Sequence, residues 1–173
     1  KEMQLDFLWR GVLGGAVLME GLGERVSVVA GAGKQDGWWV VLVNPNFHVS
    51  TQDVYARCKM GLTSGERSID SIVSALRNGD VDLAGLHLFN GLQATVFRKY
   101  PLIEIVAEEL EKAGAIGVLL SGSGASVFGL ARNERHARRI AECVRKALGF
   151  PAWCKVARTL PDGVMAAHGP LEA

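Results

Sequence analysis

Short apolar runs alternate with polar, glycine-rich breaks along this chain, and the spacing within each run separates strands from helices. Gly14 to Met19 and Arg25 to Val29 are brief apolar runs parted by Gly21 and Gly23, which predicts two strands joined by a tight turn. Residues 30–37, punctuated by Gly31, Gly33 and Gly37, read as a joint. Trp38 to Asn44 follows, apolar at every position but the last and too continuous for a half-exposed strand. The expectation there is a central strand that Pro45 ends.

Helical spacing then takes over. Ser50 with Asp53 three residues on approximates a capping box with the shorter acid, predicting a helix from Thr51 to about Lys59. Ile69, Ile72, Val73 and Leu76 recur at helical spacing before Gly79, Val81 to Leu88 reads as another helix, and Asn90 to Lys99 as a third. Pro101 stands where a first helical residue belongs. Ile103, Val106, Ala107 and Leu110 form its apolar stripe and Gly114 its stop.

Val118 to Leu120 and Val127 to Ala131 are strand-like on either side of a Ser/Gly loop, Ser121, Gly122, Ser123, Gly124, Ala125 and Ser126. Asn133 is placed to cap a helix from Glu134 to Leu148, with Ala137, Ile140, Ala141 and Val144 on its inner face and Gly149 as terminator. Trp153 to Ala157 reads as a last strand. From residue 38 onward the order is strand, helices, strand, strand, helix, strand: a split βαβ plan with extra helices in the first crossover. The fold class expected is therefore α+β, a ferredoxin-like antiparallel sheet with helices on one face.

The Ser/Gly loop is the strongest candidate for chemistry. Gly122 and Gly124 can take positive φ without a Cβ penalty, so successive N–H groups there can form a nest that favours phosphate oxygens; a plain glycine-rich hairpin turn fits the same spacing. Composition narrows the classes. With 49% hydrophobic and 21% charged residues and a net charge of +1 over 173 residues, the chain is globular and lacks the basic field that sequence-independent nucleic-acid binding needs. No membrane span or signal peptide is readable, so a soluble cytoplasmic protein is expected. Cys58, Cys143 and Cys154 form no CxxC pair and read as reduced and structural, and His48, His87, His136 and His168 are too scattered for a metal cluster. Lys1 stands where an initiator methionine would, which suggests a processed product or a fragment.

Several runs together resemble the C-terminal half of GHMP-superfamily kinases. They are Gly14-Gly15-Ala16 with Glu20 to Glu24, Val43-Asn44-Pro45 with Val49-Ser50-Thr51-Gln52-Asp53-Val54-Tyr55, Asn90-Gly91-Leu92-Gln93, Leu120 to Phe128, and Ala157 to Pro161. The Val-Ser-Thr-x-x-Val-Tyr run points within that superfamily to the branch that phosphorylates 4-diphosphocytidyl-2-C-methyl-D-erythritol, a cytidine-diphosphate-linked sugar alcohol of the methylerythritol phosphate route to isoprenoids. The resemblance implies a two-domain kinase with its site between the domains. Residues 1–36 would be a remnant of the N-terminal domain plus linker, and residues 37–173 the ferredoxin-like C-terminal domain.

By the same resemblance ATP is the co-substrate, with Mg²⁺, and Ser121 to Ser126 lie near its phosphates. Tyr55 stacks on the cytosine ring and Thr51 hydrogen-bonds the substrate; the two are one helical turn apart and so share a face. Without the resemblance Tyr55 reads equally as a half-buried packing tyrosine. Departures matter too. The family's Gly-Leu-Gly-Gly-Gly-Ser-Ser-type loop and early active-site lysine are not in this sequence, which implies a missing N-terminal kinase domain as partner and an inactive isolated chain. The stretch matching the family's catalytic-aspartate run carries Asp6 one residue out of register and without the proline, and Gly91 and Gln93 replace both acids of the family's Asn-Asp-Leu-Glu run, leaving Asn90 as a loop or helix-cap residue. A non-catalytic ferredoxin-like module that docks on another domain, and a GHMP kinase for homoserine- or mevalonate-type alcohols, are the alternatives.

Overall fold

The computed structural model describes residues 17–20, 25–29, 37–57 and 69–159. The expected first hairpin is there: β1 (Val17–Glu20) and β2 (Arg25–Val28) pair antiparallel, Val17 opposite Val28. Residues 30–36 of the joint, Cys58 to Ser68 and the residues beyond Thr159 lie outside the described residues.

The main sheet is built around β3 (Trp39–Asn44). It pairs antiparallel with β5 (Val127–Ala131), Val43 opposite Val127, and with β6 (Trp153–Arg158), Val43 opposite Cys154. β4 (Val118–Leu120) pairs with the outer side of β5, so the spatial order is β4-β5-β3-β6. Neither crossover joins neighbours. β3 returns as β4 with β5 between them, and β5 returns as β6 with β3 between them, which is the ferredoxin-like split βαβ plan of an α+β domain. The hairpin β4–β5 carries the Ser/Gly loop at its tip.

Six described helices cover this sheet: α1 (Thr51–Arg57), α2 (Ile69–Asn78), α3 (Val81–His87), α4 (Gln93–Lys99), α5 (Pro101–Lys112) and α6 (Glu134–Ala147). The two strongly punctuated ones form as their punctuation dictates. Pro101 opens α5, and the Asn133 side chain accepts from His136 N–H at 2.9 Å to cap α6. Their apolar stripes, Ile103, Val106 and Leu110 with Ala137, Ile140 and Val144, are fully buried against Val41, Val43 and Val127. Fully burying one such valine contributes about 1.5–3 kcal/mol.

That layer is the one expected on a single face. The alternate residues of the same strands, Val40 and Leu42 with Phe128 and Leu130, face the other way and pack with Ile72, Ala75, Val81 and Ala84 of α2 and α3. Helices therefore cover both faces, an addition to the one-face reading, and the reason lies in the run from Trp38 to Asn44. A strand apolar on both sides would leave Val40 and Leu42 facing water unless the extra crossover helices covered them. Glycine makes the fit close: a Cβ on Gly117 would stand 2.5 Å from the Gly85 Cα of α3.

Candidate functional site at the β4–β5 loop

The Ser121–Ser126 loop is held in shape from inside and from both flanks. Inside, Ser121 N–H donates to Ser126 O and Gly124 N–H to Ser121 O, each at 2.9 Å. Gly122 and Gly124 have φ of +57° and +93°, so the positive φ expected at both glycines is observed. Ala125 is buried in the core and anchors the loop, whereas Ser121 and Gly122 are exposed and a Cβ on Gly122 would meet nothing within 4 Å.

Three elements converge on it. From the end of β3, Asn44 Nδ2 donates to Ser126 Oγ at 2.9 Å, while Asn44 Oδ1 accepts from Asn46 N–H at 2.7 Å and turns the chain after Pro45 at a positive-φ residue. From the approach to α4, Asn90 Nδ2 donates to both Leu120 O and Gly122 O at 2.8 Å, and Gln93 Oε1 accepts from Leu120 N–H at 3.0 Å. β4 is an edge strand, and these two side chains occupy backbone groups that an edge would otherwise offer to solvent. From the start of α1, Thr51 Oγ1 and Ser123 Oγ share a hydrogen bond of 2.8 Å.

Sequence reasoning placed Thr51 and the loop in one site, and the structure brings them into contact. It did not foresee Asn44, Asn90 and Gln93 as the loop's supports. Asn90 does act as a loop residue, since its Oδ1 accepts from Leu92 N–H at 2.9 Å, and that turn moves the start of α4 from the expected Asn90 to Gln93. The useful signals were a polar residue closing a buried strand and an Asn-Gly pair before a helix.

α1 begins where expected, with Asp53 N–H donating to Ser50 Oγ at 3.3 Å. The capping box is only half made. The Asp53 carboxylate turns away from Ser50 to pair with Arg57 at 2.9 Å and with Lys99 of α4, because the shorter acid has closer cations to meet. Lys99 also lies 5.0 Å from the Tyr100 ring centre, and Tyr100 packs on Phe47. Val54 is the buried residue of α1, and Tyr55, one position on, is 58% exposed. Tyr55 is thus more exposed than a half-buried packing tyrosine would be, on the helix that touches the glycine loop.

Asp6 lies outside the described residues. Among the described residues no three His, Cys, Asp or Glu side chains come together as metal ligands, and the loop offers backbone and hydroxyl donors of the kind that suit an anion. Cys143 and Cys154 are free thiols, and burial pushes the Cys154 thiol up from its usual pKa. Among the described residues no helix is long and apolar enough to cross a membrane.

Residues 72–149 match the family model described as GHMP kinases C terminal. A curated relative, the 4-diphosphocytidyl-2-C-methyl-D-erythritol kinase of Pelotomaculum thermopropionicum, is 35% identical over 136 residues, which is 79% of this chain and 46% of the relative. A crystal structure of 4-(cytidine 5'-diphospho)-2C-methyl-D-erythritol kinase superposes with a TM-score of 0.62 at 30% identity, covering 81% of this chain and 48% of that one. The homoserine kinase of Cytophaga hutchinsonii superposes with a TM-score of 0.72 at 20% identity, over 87% of this chain and 50% of its own, a likeness of fold alone. The chain spans slightly less than half the length of the curated relatives it matches.

Proposed function

Because the chain carries a GHMP kinase C-terminal domain, we propose that it is the C-terminal part of a cytoplasmic kinase that transfers the γ-phosphoryl group of ATP to the 2-hydroxyl of 4-diphosphocytidyl-2-C-methyl-D-erythritol. The observation that carries this reading is the Thr51–Ser123 hydrogen bond. It joins an anion-suited loop to the helix that displays an exposed tyrosine, which supports assigning phosphate to the loop and the base to that helix. Residues 37–173 are proposed as the C-terminal domain, and residues 1–36 as a remnant of the N-terminal one plus linker.

Phosphoryl transfer is mostly positioning and charge stabilisation. In this reading the Gly122 and Ser123 N–H groups at the loop's exposed tip donate to phosphate oxygens, while Ser121 and Gly124 N–H remain committed inside the loop. Thr51 hydrogen-bonds the acceptor's nucleotide end. Tyr55 offers its open face to the cytosine ring, since an aromatic face accepts a flat base at little entropic cost. The glycine-rich ATP loop, the lysine and a base for the acceptor hydroxyl come from an N-terminal domain, and the chain by itself does not turn over.

A chimera tests this. The N-terminal half of the Pelotomaculum relative is joined to this chain, and phosphoryl transfer from ATP is assayed with the cytidine-diphosphate-linked methylerythritol, homoserine and mevalonate. Transfer to the first alone is expected. Transfer to either of the others instead, or a folded chimera inactive beside an active parent, overturns the reading.

A further inference from the structure

At the far end of the sheet from the glycine loop, where Ala131 closes β5 opposite Trp39, a cleft is lined by Arg132, Asn133, Arg135, His136 and Arg139. Its charges are unequally matched. Arg132 pairs with Asp82 of α3, and Arg138, on α6 but outside the cleft, pairs with Glu134. Among the described residues neither Arg135 nor Arg139 has an acidic partner. The two stand four positions apart on α6 and so share a face, each repelling the other. Arg139 reaches toward the turn after α5, its Nη2 only 3.7 Å from where a Cβ on Gly114 would stand. His136 sits between the two arginines in sequence, half-buried, and its Nδ1 accepts from Arg132 N–H at 3.3 Å.

We propose that this cleft is a second anion site, separate from the glycine loop, that takes a small phosphoryl-bearing ligand between the Arg135 and Arg139 guanidiniums, beside the His136 imidazole. Planar guanidinium forks match phosphate oxygens two at a time. A concave wall of one sign concentrates such a ligand, and a dianion relieves the repulsion the two arginines carry. Since the cleft involves none of the residues assigned to transfer, its occupancy stands apart from the proposed kinase reading.

Protonation is coupled to the site. Burial, then the charges of Arg139 and Arg132, hold the His136 pKa below the ordinary imidazole value, while the Gly114 backbone and Asp82 draw it up; Arg135 is the remaining charged neighbour in the cleft. A histidine disfavoured as a cation in the folded chain makes the ligand-free fold less stable as pH falls through about 6.5. A bound phosphoryl anion favours the imidazolium, so binding moves the His136 titration upward.

The test titrates inorganic pyrophosphate into the 173-residue chain at constant ionic strength, at about pH 6 and about pH 7.5, and follows the His136 ring signals by NMR. A saturable shift at both pH values, with the His136 titration moved upward by the ligand, is expected. The double variant Arg135→Gln/Arg139→Gln weakens that response at least tenfold with a melting temperature no lower than the parent's, whereas Arg138→Gln retains it. A shift that sodium chloride reproduces, or that survives in the double variant, overturns the site. An equal response to citrate overturns the phosphoryl assignment.

Discussion

The Ser121–Ser126 loop and helix α1 meet at the Thr51–Ser123 hydrogen bond, and the fold fastens the two by different means. The loop is bound by its own backbone, by Asn44, Asn90 and Gln93 from two other elements, and by Ala125 in the core. α1 is held by one buried side chain, Val54, and by exposed or half-exposed polar contacts at Ser50, Thr51 and Asp53. An element that must hold backbone donors in one geometry gains from redundancy, since donors fixed in advance cost no reorganisation when charge arrives. An element that displays a ring to a flat ligand needs only to be anchored at its base. Among the described residues the loop is fastened many times over, and α1 by few contacts.

Gly124→Val is expected to cost most. At φ +93° any β-branched residue is strained, and its Cβ would crowd Leu120 Cδ1 at 3.3 Å, so a loss of about 2 kcal/mol or more is expected by urea unfolding. A loss under about 0.5 kcal/mol would break the contrast by showing that the loop is loosely held. Asn90→Leu comes next, at about 1–3 kcal/mol, because the Leu120 and Gly122 carbonyls lose a shared donor. Asp53→Asn sharpens the other side. Its two ion pairs are partly exposed, so unfolding should change by about 1 kcal/mol or less, and a larger change would mean that α1 is carried by charge.

What could be read from the chain divides along a similar line. α5 and α6 were legible because their start and stop signals are local: Pro101 to Gly114, and the Asn133 cap to Gly149. The loop itself was legible for the same reason. Its supports were not, since Asn44 and Ser126 are 82 positions apart and Asn90 and Leu120 are 30, distances over which composition and period carry no signal. The helical spacing of α2 predicted an apolar stripe but not which face of the sheet it would cover. That information lay in β3, whose unbroken apolar run asked for cover on both sides. The shortened capping box at Ser50 shows the same limit: local pattern set the helix start, and the distant Lys99 decided where the Asp53 carboxylate went.

The smallest expected change in stability is also the most informative. Tyr55 is 58% exposed, and truncating a mostly exposed side chain should leave unfolding within about 0.5 kcal/mol of the parent. If the ring stacks on a base, the same Tyr55→Ala change in the active chimera removes about 1–3 kcal/mol of binding, which raises KM for the cytidine-linked acceptor roughly fivefold or more with kcat little changed. Tyr55→Phe keeps the aromatic face and should keep that KM. A stability loss well above 0.5 kcal/mol would show that α1 depends on the ring for packing and erase the division between loop and helix. An unchanged KM in Tyr55→Ala would leave α1 as support for Ser123 through Thr51, with the nucleotide recognised elsewhere.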